Sequence, residues 1–235
     1  QYRIGTGELS DSLALDDLLG FSKDLVPFFA RRKNALLEFK TKSRCVDNLL
    51  GLESGGRVVV SWTLTPPAIA DSEEHGTASF RERVEAARLV QNAGYKVGFH
   101  FDPLIEYPGW EQDYTECIRE LFGHVDASNV AWVSLGSLRL TNRLRTIMRQ
   151  RFPTTRLLST EQIPCEDGKW RVFQPMRVSM YRFIMDALRN VAPVVPVYMC
   201  METPAVWKKV QGREPACDKE IARGLTVPNL PDATQ

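Results

Sequence analysis

Six short apolar runs, each ending in polar groups, are the feature that most constrains the fold of this chain. They cover Tyr2–Glu8, Leu36–Lys42, Val58–Leu64, Val97–Pro103, Val130–Gly136 and Val195–Glu202. Successive residues of a strand point to opposite faces, so each run has an apolar face and a face that turns polar toward its C-terminal end. A parallel strand buried on both faces would be apolar throughout. The pattern therefore predicts a barrel with a polar mouth at the C-terminal ends of its strands.

In the second, third and fourth predicted strands, every second residue is polar or glycine, and these residues share one face. They alternate with apolar partners such as Leu37 and Phe39 in the second run, or Phe99 and Phe101 in the fourth. We expect them to line the barrel mouth. They are Glu38, Lys40, Lys42, Ser61, Thr63, Gly98, His100 and Asp102.

Helical patterns alternate with the strands. They cover Phe21–Arg31, Ser79–Ala93, Trp110–Phe122, Leu140–Phe152 and Met176–Asn190. A capping signal at Thr77 and Ser79 precedes the second, and Gly94 and Gly123 are expected to end the second and third. Alternation at this spacing predicts βα units, a parallel sheet and right-handed crossovers.

One segment interrupts this alternation. Leu157–Phe173 carries Asp167-Gly168 between two short apolar or aromatic runs, which predicts a β-hairpin. We therefore expect a barrel in residues 1–156, a hairpin insertion in 157–175, further helix and strand elements of the same domain in 176–225, and a tail in 226–235.

Composition narrows the class of protein. The chain has 235 residues, 43% of them hydrophobic, which suffices for one large domain or two small ones. No apolar run approaches the roughly 20 residues needed to cross a bilayer, so we expect no membrane partner. Five scattered cysteines favour reduced thiols in a cytoplasmic protein over a disulfide framework. The net charge of +1 indicates no partner by itself.

Seven stretches, in matching order and spacing, resemble the spore photoproduct lyase family of radical S-adenosylmethionine proteins. The resemblance implies an α/β fold, a partial parallel (β/α)6-type barrel lacking its first strand in this chain, with a C-terminal β-hairpin. It also implies S-adenosylmethionine and a [4Fe–4S] cluster as cofactors, and DNA as the partner. The stretches are RIGTGELSDSLALDDLLG, NALLEFKTKSRCVDNLL, VVVSWTL, AARLVQNAGYKVGFHFDPLIEYPGWEQDY, VSLGSLRL, CEDGKWRVFQPMRVSMYRF and VPVYMCMETPAVW.

Two departures from the family pattern concern cysteines. Members hold the cluster with a CxxxCxxC loop, because thiolates ligate iron. The smallest cysteine gap here is Cys200 to Cys217, so we expect no metal ligand from this chain and cluster ligands upstream of Gln1. The family cysteine that donates a hydrogen atom near the second strand's tip corresponds to a stretch without a thiol. Glu8 at that position and Cys200 at another strand end are the catalytic candidates.

The resemblance also assigns cofactor-binding residues. Lys42 matches the lysine that holds the carboxylate of S-adenosylmethionine, and a compact ammonium suits that role. Ser61 matches a serine near the same carboxylate, and Ser10 one near the methionyl amine. His100 and Asp102 are expected near adenosine or substrate; the residues alone also allow a metal site, an acid–base pair or a structural pair.

A basic stretch suggests contact with DNA. No acid occurs between Asp126 and Glu161, and the helix predicted there would place Leu144 toward the core. Phosphate contacts with an aromatic stacking group suit DNA, although a solvated helix face gives the same pattern. The expected DNA-binding residues are Arg143, Lys169, Trp170 and Arg171.

These observations support one expected function and two alternatives. We expect part of a radical S-adenosylmethionine enzyme resembling spore photoproduct lyase, which repairs thymine dimers in DNA with a 5′-deoxyadenosyl radical. One alternative is a non-catalytic nucleic-acid-binding remnant of the same scaffold. The other is a cluster-free (β/α) barrel enzyme with Glu8, His100 and Asp102 as acid–base groups.

Overall fold

A parallel sheet of six strands, curled into a half-barrel, organises the computed structural model, which describes residues 2–7 and 10–214. Numbered in chain order, its strands run β1-β2-β3-β4-β5-β9 across the sheet. They are β1 Tyr2–Thr6, β2 Ala35–Thr41, β3 Val58–Thr63, β4 Lys96–Leu104, β5 Val130–Ser137 and β9 Val197–Met199. The predicted α/β fold with a parallel half-barrel is therefore confirmed.

A second, antiparallel sheet contains the predicted hairpin. It has the order β6-β8-β7, from β6 Arg139–Thr141, β7 Gln162–Pro164 and β8 Lys169–Val172. The turn between β7 and β8 contains Gly168 in the left-handed region, with φ 74°. The third strand, β6, follows β5 almost directly and joins the hairpin to the end of the half-barrel.

Eight helices are described in residues 10–214, and most connect one strand to the next. α4 begins with a full capping box between Ser79 and Glu82. Among the described residues, no helix is long and apolar enough to cross a membrane. The helices are α1 Asp16–Leu19, α2 Phe21–Ala30, α3 Pro67–Glu73, α4 Phe80–Asn92, α5 Trp110–His124, α6 Asn142–Arg151, α7 Gln174–Val191 and α8 Pro204–Gln211.

The two faces of the large sheet have different chemistry. Phe39, Trp62 and Phe99 belong to the large apolar core that the strands share with the helices. Leu36 and Val59, of the opposite parity, belong to a small second cluster on the inner face. Above that cluster the inner face becomes polar, as the alternation predicts.

The structure corrects several predicted helix limits. Leu140 does not begin a helix, because Arg139–Thr141 pairs with β8 and Thr141 caps α6 by accepting a hydrogen bond from Leu144 N. Leu144 is exposed and does not face the core. Gly123 does not end α5, which continues to His124. The helices α1, α3 and α8 have no counterpart among the predicted ones.

A buried arginine fixes the entry to α4. Arg83 is 1% exposed, and its Nη2 contacts Glu74 Oε2 at 2.5 Å. Its other donors bind the carbonyls of Thr63 (2.8 Å) and Ala78 (2.7 Å), so β3 and the segment before α4 share one guanidinium. Lys42 Nζ contacts the other oxygen of Glu74 at 2.6 Å.

Replacing Arg83 should destabilise the fold strongly. Arg83→Met leaves buried Glu74 with Lys42 as its one remaining cation, and losing one partner of a buried pair costs about 3 kcal/mol. The free energy of unfolding in urea measures the loss. Arg81→Met is the matched control, because Arg81 lies on the same helix, is exposed and pairs with Glu120 at the surface. Equal losses in both variants would show that the buried pair has no special role.

Candidate functional site

A hydrogen-bond network, buried except for Arg3, joins four strands on the inner face of the half-barrel. Arg3 on β1 donates to Glu38 Oε2 on β2 from Nε (2.9 Å) and Nη2 (2.6 Å). Ser61 on β3 donates to Glu38 Oε1 at 2.7 Å. His100 Nε2 on β4 lies 2.9 Å from the same oxygen and 3.2 Å from the Ser61 hydroxyl. We call these four residues the inner network.

The partners of Glu38 determine its charge. Burial opposes ionisation, but hydrogen bonds from His100 and Ser61 and the charge of Arg3 hold the pKa of Glu38 well below its usual range. Burial also works against the charge of Arg3, yet the nearby carboxylate raises the pKa of that guanidinium. The site therefore contains an ionised, fully bonded carboxylate beneath the mouth.

The same carboxylate fixes the tautomer of His100. An ionised carboxylate only accepts hydrogen bonds, so Nε2 carries the proton that points at Glu38. Burial lowers the pKa of His100, although Glu38 works to raise it, and the ring is neutral near pH 7. The lone pair is then on Nδ1, which has no hydrogen-bond partner among residues 2–7 and 10–214. A ligand could donate a hydrogen bond to that nitrogen.

An aromatic floor lies below the inner network. The Arg3 guanidinium stacks on Trp132 at 3.9 Å from the ring centroid. The Trp132 indole N–H is buried without a hydrogen-bond partner in the part of the chain that the structure describes. A Cβ at Gly98 would lie 2.8 Å from that nitrogen, so the close approach of β4 and β5 requires glycine.

The mouth above the network contains Asp102, Arg139 and Cys200. Asp102 pairs with Arg139 at 3.1 Å, and Arg139 also donates to the Cys200 carbonyl at 3.3 Å. The Asp102 carboxylate fills the space beside Gly136, where a Cβ would lie 2.4 Å away. Burial, reinforced by Asp102, raises the pKa of the Cys200 thiol. At neutral pH the sulfur therefore keeps its proton.

Buried polar residues fix the turn that holds Cys200. Met201 has a left-handed backbone (φ 53°), which is rare for a residue other than glycine. Its carbonyl accepts a hydrogen bond from Arg171 at 3.1 Å. The side chain of Glu202 is fully buried and accepts from Arg177 (3.0 Å) and Tyr181 (2.8 Å).

The predicted cofactor-binding residues fall into separate groups. Ser61 and His100 meet in the inner network, and Asp102 lies in the mouth. Lys42, at the end of β2, contacts Glu74 instead of projecting freely. Ser10 is exposed, in a loop that Asp11 attaches to β2 by accepting hydrogen bonds from Lys42 N and the Thr41 hydroxyl.

The predicted catalytic and metal sites are only partly described. Glu8 lies outside the described residues, and Cys200 lies in the mouth. In the part of the chain that the structure describes, no group of three or more His, Cys, Asp or Glu side chains could hold a metal ion.

The predicted DNA-binding residues lie around the small sheet. Arg143 is exposed on α6, and Lys169 is half-buried on β8. Arg145 stacks on Trp170 at 3.9 Å and so covers one face of the indole. Arg171 is buried and contacts Asp167 at 2.5 Å.

Sequence reasoning did not select Glu38, Arg3 or Arg139 as site residues. The alternation of polar and apolar residues along β2 placed Glu38 on the mouth face, and this was the signal in the sequence that could have identified it. Arg3 and Arg139 bind acids 35 and 37 residues away in the chain, and no local pattern marks such pairs.

Buried, neutral His100 should make stability depend on pH. The pKa of His100 is lower in the folded chain than its ordinary value near 6.5, so the unfolded chain binds the proton more readily. Stability should therefore fall as the pH drops below about 6.5, until the pH reaches the folded pKa. Urea midpoints between pH 8 and pH 5 measure this loss.

Two histidine variants test the assignment. His100→Asn should flatten the pH dependence between pH 7 and pH 5. His124→Asn should leave it unchanged, because His124 is exposed on α5. A His100→Asn protein with the wild-type slope would contradict the assignment.

Comparisons with known proteins agree on one family. The family model described as spore photoproduct lyase matches residues 2–181. The spore photoproduct lyase of Geobacillus sp. (strain Y412MC61) is 31% identical over 150 residues, which cover 63% of this chain and 44% of the relative. That of Bacillus subtilis (strain 168) is 29% identical over 159 residues, covering 65% and 45%. The chain thus spans less than half the length of these curated relatives.

Solved structures give the same result. A spore photoproduct lyase variant with bound AdoMet and dinucleoside spore photoproduct matches with a TM-score of 0.75 and 26% identity, over 84% of this chain and 61% of that one. A spore photoproduct lyase complexed with dinucleoside spore photoproduct matches equally well. Since the family model covers most of the sequence, this chain belongs to the spore photoproduct lyase family.

Proposed function

We propose that this chain forms the S-adenosylmethionine-binding and lesion-binding part of a radical S-adenosylmethionine lyase that acts on thymine dimers in DNA. The observation that carries the proposal is the polar inner face of the half-barrel, centred on the inner network. Matched structures with the same fold hold AdoMet and a dinucleoside spore photoproduct. Catalytic groups of barrels lie at this end of the strands.

The chain's own residues offer suitable contacts for S-adenosylmethionine. The free Nδ1 of His100 can accept a hydrogen bond from an amine or hydroxyl group. Lys42 directly follows β2, and Ser10 lies in the loop that Asp11 attaches to the same strand; the methionyl group is proposed to bind between them. A carboxylate at Lys42 would compete with Glu74, which already contacts that ammonium.

The residues present do not fit a [4Fe–4S] cluster. The sequence contains no CxxxCxxC, and its five cysteines are widely separated. The proposal therefore assigns the cluster ligands to residues outside this chain, and the chain's own role is to bind and orient the ligands.

Cys200 is the proposed reactive thiol of the mouth. Glu8, which lies outside the described residues, stays a second catalytic candidate. Burial keeps the sulfur protonated, and the S–H form is the one able to give up a hydrogen atom. Arg139 donates to the carbonyl of Cys200 and Arg171 to that of Met201, which limits the movement of the backbone that carries the thiol.

Ligand binding and thiol protection test the proposal together. S-adenosylmethionine and dinucleoside spore photoproduct should each bind the chain in calorimetric titrations. Cys45 and Cys200 are both half-buried, but Cys200 should react with iodoacetamide more slowly because burial raises the pKa of its thiol. Bound photoproduct should slow Cys200 further while Cys45 is unaffected. Binding of neither ligand would reject the function; binding without protection of Cys200 would reject the role of this thiol alone.

The basic surface of α6 and the small sheet is proposed to contact DNA. Arg143, Arg149 and Arg151 are exposed on α6. They form no ion pair with the described residues, and the stretch 127–160 contains no acid. Phe152 is also exposed at the end of this helix, which adds an apolar group beside the charges. Phosphate contact accounts for such charges, and apolar side chains can wedge between bases.

Removing two of these charges should weaken DNA binding and its salt dependence. Each phosphate contact adds about 0.9 to the slope of log affinity against log salt. Arg143→Gln with Lys169→Gln should therefore reduce the slope by about 1.8. Fluorescence anisotropy with a short duplex between 50 and 200 mM salt, the range where such slopes are resolved, measures it. Arg88→Gln is the control, because Arg88 lies away from this surface on α4 and pairs with Glu85; an unchanged slope in the double variant would contradict the assignment.

A cluster-free acid–base enzyme is the second candidate. It is favoured by His100, whose neutral ring is oriented by Glu38 and presents an unbonded Nδ1. This candidate predicts a substrate that binds without S-adenosylmethionine, so the titrations above distinguish the two.

A further inference from the structure

One positive charge on the inner face has no partner among the residues that the structure describes. Lys40 lies on β2, on the same face as Glu38, and pairs in register with Ser61 on β3. It is half-buried, yet its ammonium group makes no ion pair or hydrogen bond with residues 2–7 or 10–214. Lys42, two positions along the same strand edge, contacts Glu74 at 2.6 Å.

The charge of Lys40 acts inside the half-barrel. It contributes to lowering the pKa of His100, which is buried on β4. It also works to lower the pKa of the Cys200 thiol at the end of β9, against the larger effect of burial. Both groups belong to the site already described, so Lys40 faces that site.

The charged residues described on the inner face leave a surplus of one positive charge. Arg3 is balanced by Glu38, and Arg139 is balanced by Asp102. His100 is neutral near pH 7. Lys40 therefore remains uncompensated, and a partly buried charge without a counter-ion is costly. An anion from a ligand would compensate it.

We propose that Lys40 binds an oxyanion of the ligand that enters the half-barrel. The two sources with this chemistry are the carboxylate of S-adenosylmethionine and the phosphodiester of the lesion, so the inference rests on the proposed function. A lysine ammonium suits either group, because it acts as a compact point charge with three donors. Lys42, already neutralised by Glu74, is less available for this role.

Paired ligands with and without the anion test the site. S-adenosylmethionine is compared with its decarboxylated analogue, and the dinucleotide TpT with its uncharged methylphosphonate. Lys40→Met should lose about tenfold in affinity for the anionic member of one pair and nothing for its neutral counterpart. The affected pair identifies the source. Lys40→Arg should retain most of the affinity, and exposed Lys33→Met should match the wild type.

Inorganic phosphate provides a readout that is independent of the proposed function. It should raise the melting temperature of the wild-type chain more than that of Lys40→Met. A Lys40-dependent phosphate response without binding of either organic ligand would keep the oxyanion site and reject the proposed function. The site is overturned if Lys40→Met loses affinity equally for charged and neutral ligands, or if no probe responds to the substitution.

Discussion

The half-barrel depends on the buried carboxylate of Glu38. A buried charge is tolerated only when it is paired and hydrogen-bonded, and β2 alone cannot supply those partners. They come from Arg3 on one neighbouring strand, Ser61 on the other and His100 one strand further. Four strands must therefore keep one register and one curvature, because a shift of β4 would leave the carboxylate without one of its donors.

This requirement gives the site its rigidity. His100 gains a fixed tautomer because Glu38 accepts the proton of Nε2, and Arg3 is held flat against Trp132 by the same carboxylate. The opposite rim is fixed differently, by arginines that bind the carbonyls around Cys200. Functional groups supported by strands and buried ion pairs are placed more accurately than groups on free loops, which suits the proposed binding of two ligands close together.

Sequence patterns predicted which face of a strand a residue occupies better than they predicted its hydrogen-bond and ion-pair partners. Alternation correctly placed Glu38, Ser61 and His100 on one inner surface, because a strand repeats every two residues. It could not show that Lys42 contacts Glu74, 32 residues away, since that contact depends on how α3 packs. The same limit explains the start of α6. The helical pattern begins at Leu140, but that residue pairs with β8 and belongs to a strand, because tertiary context overrides local propensity.

Lys40 on β2 and Lys42 just after it show why partners matter for function. The two lysines are two positions apart in one predicted strand and share its polar face, so sequence alone treats them as equivalent. Glu74 removes this equivalence, because it neutralises one ammonium and leaves the other to face the inner network. The electrostatic field inside the half-barrel therefore depends on Glu74, an acid at the end of the outer helix α3. The charge available to a ligand depends on that helix as much as on the strand that carries the lysines.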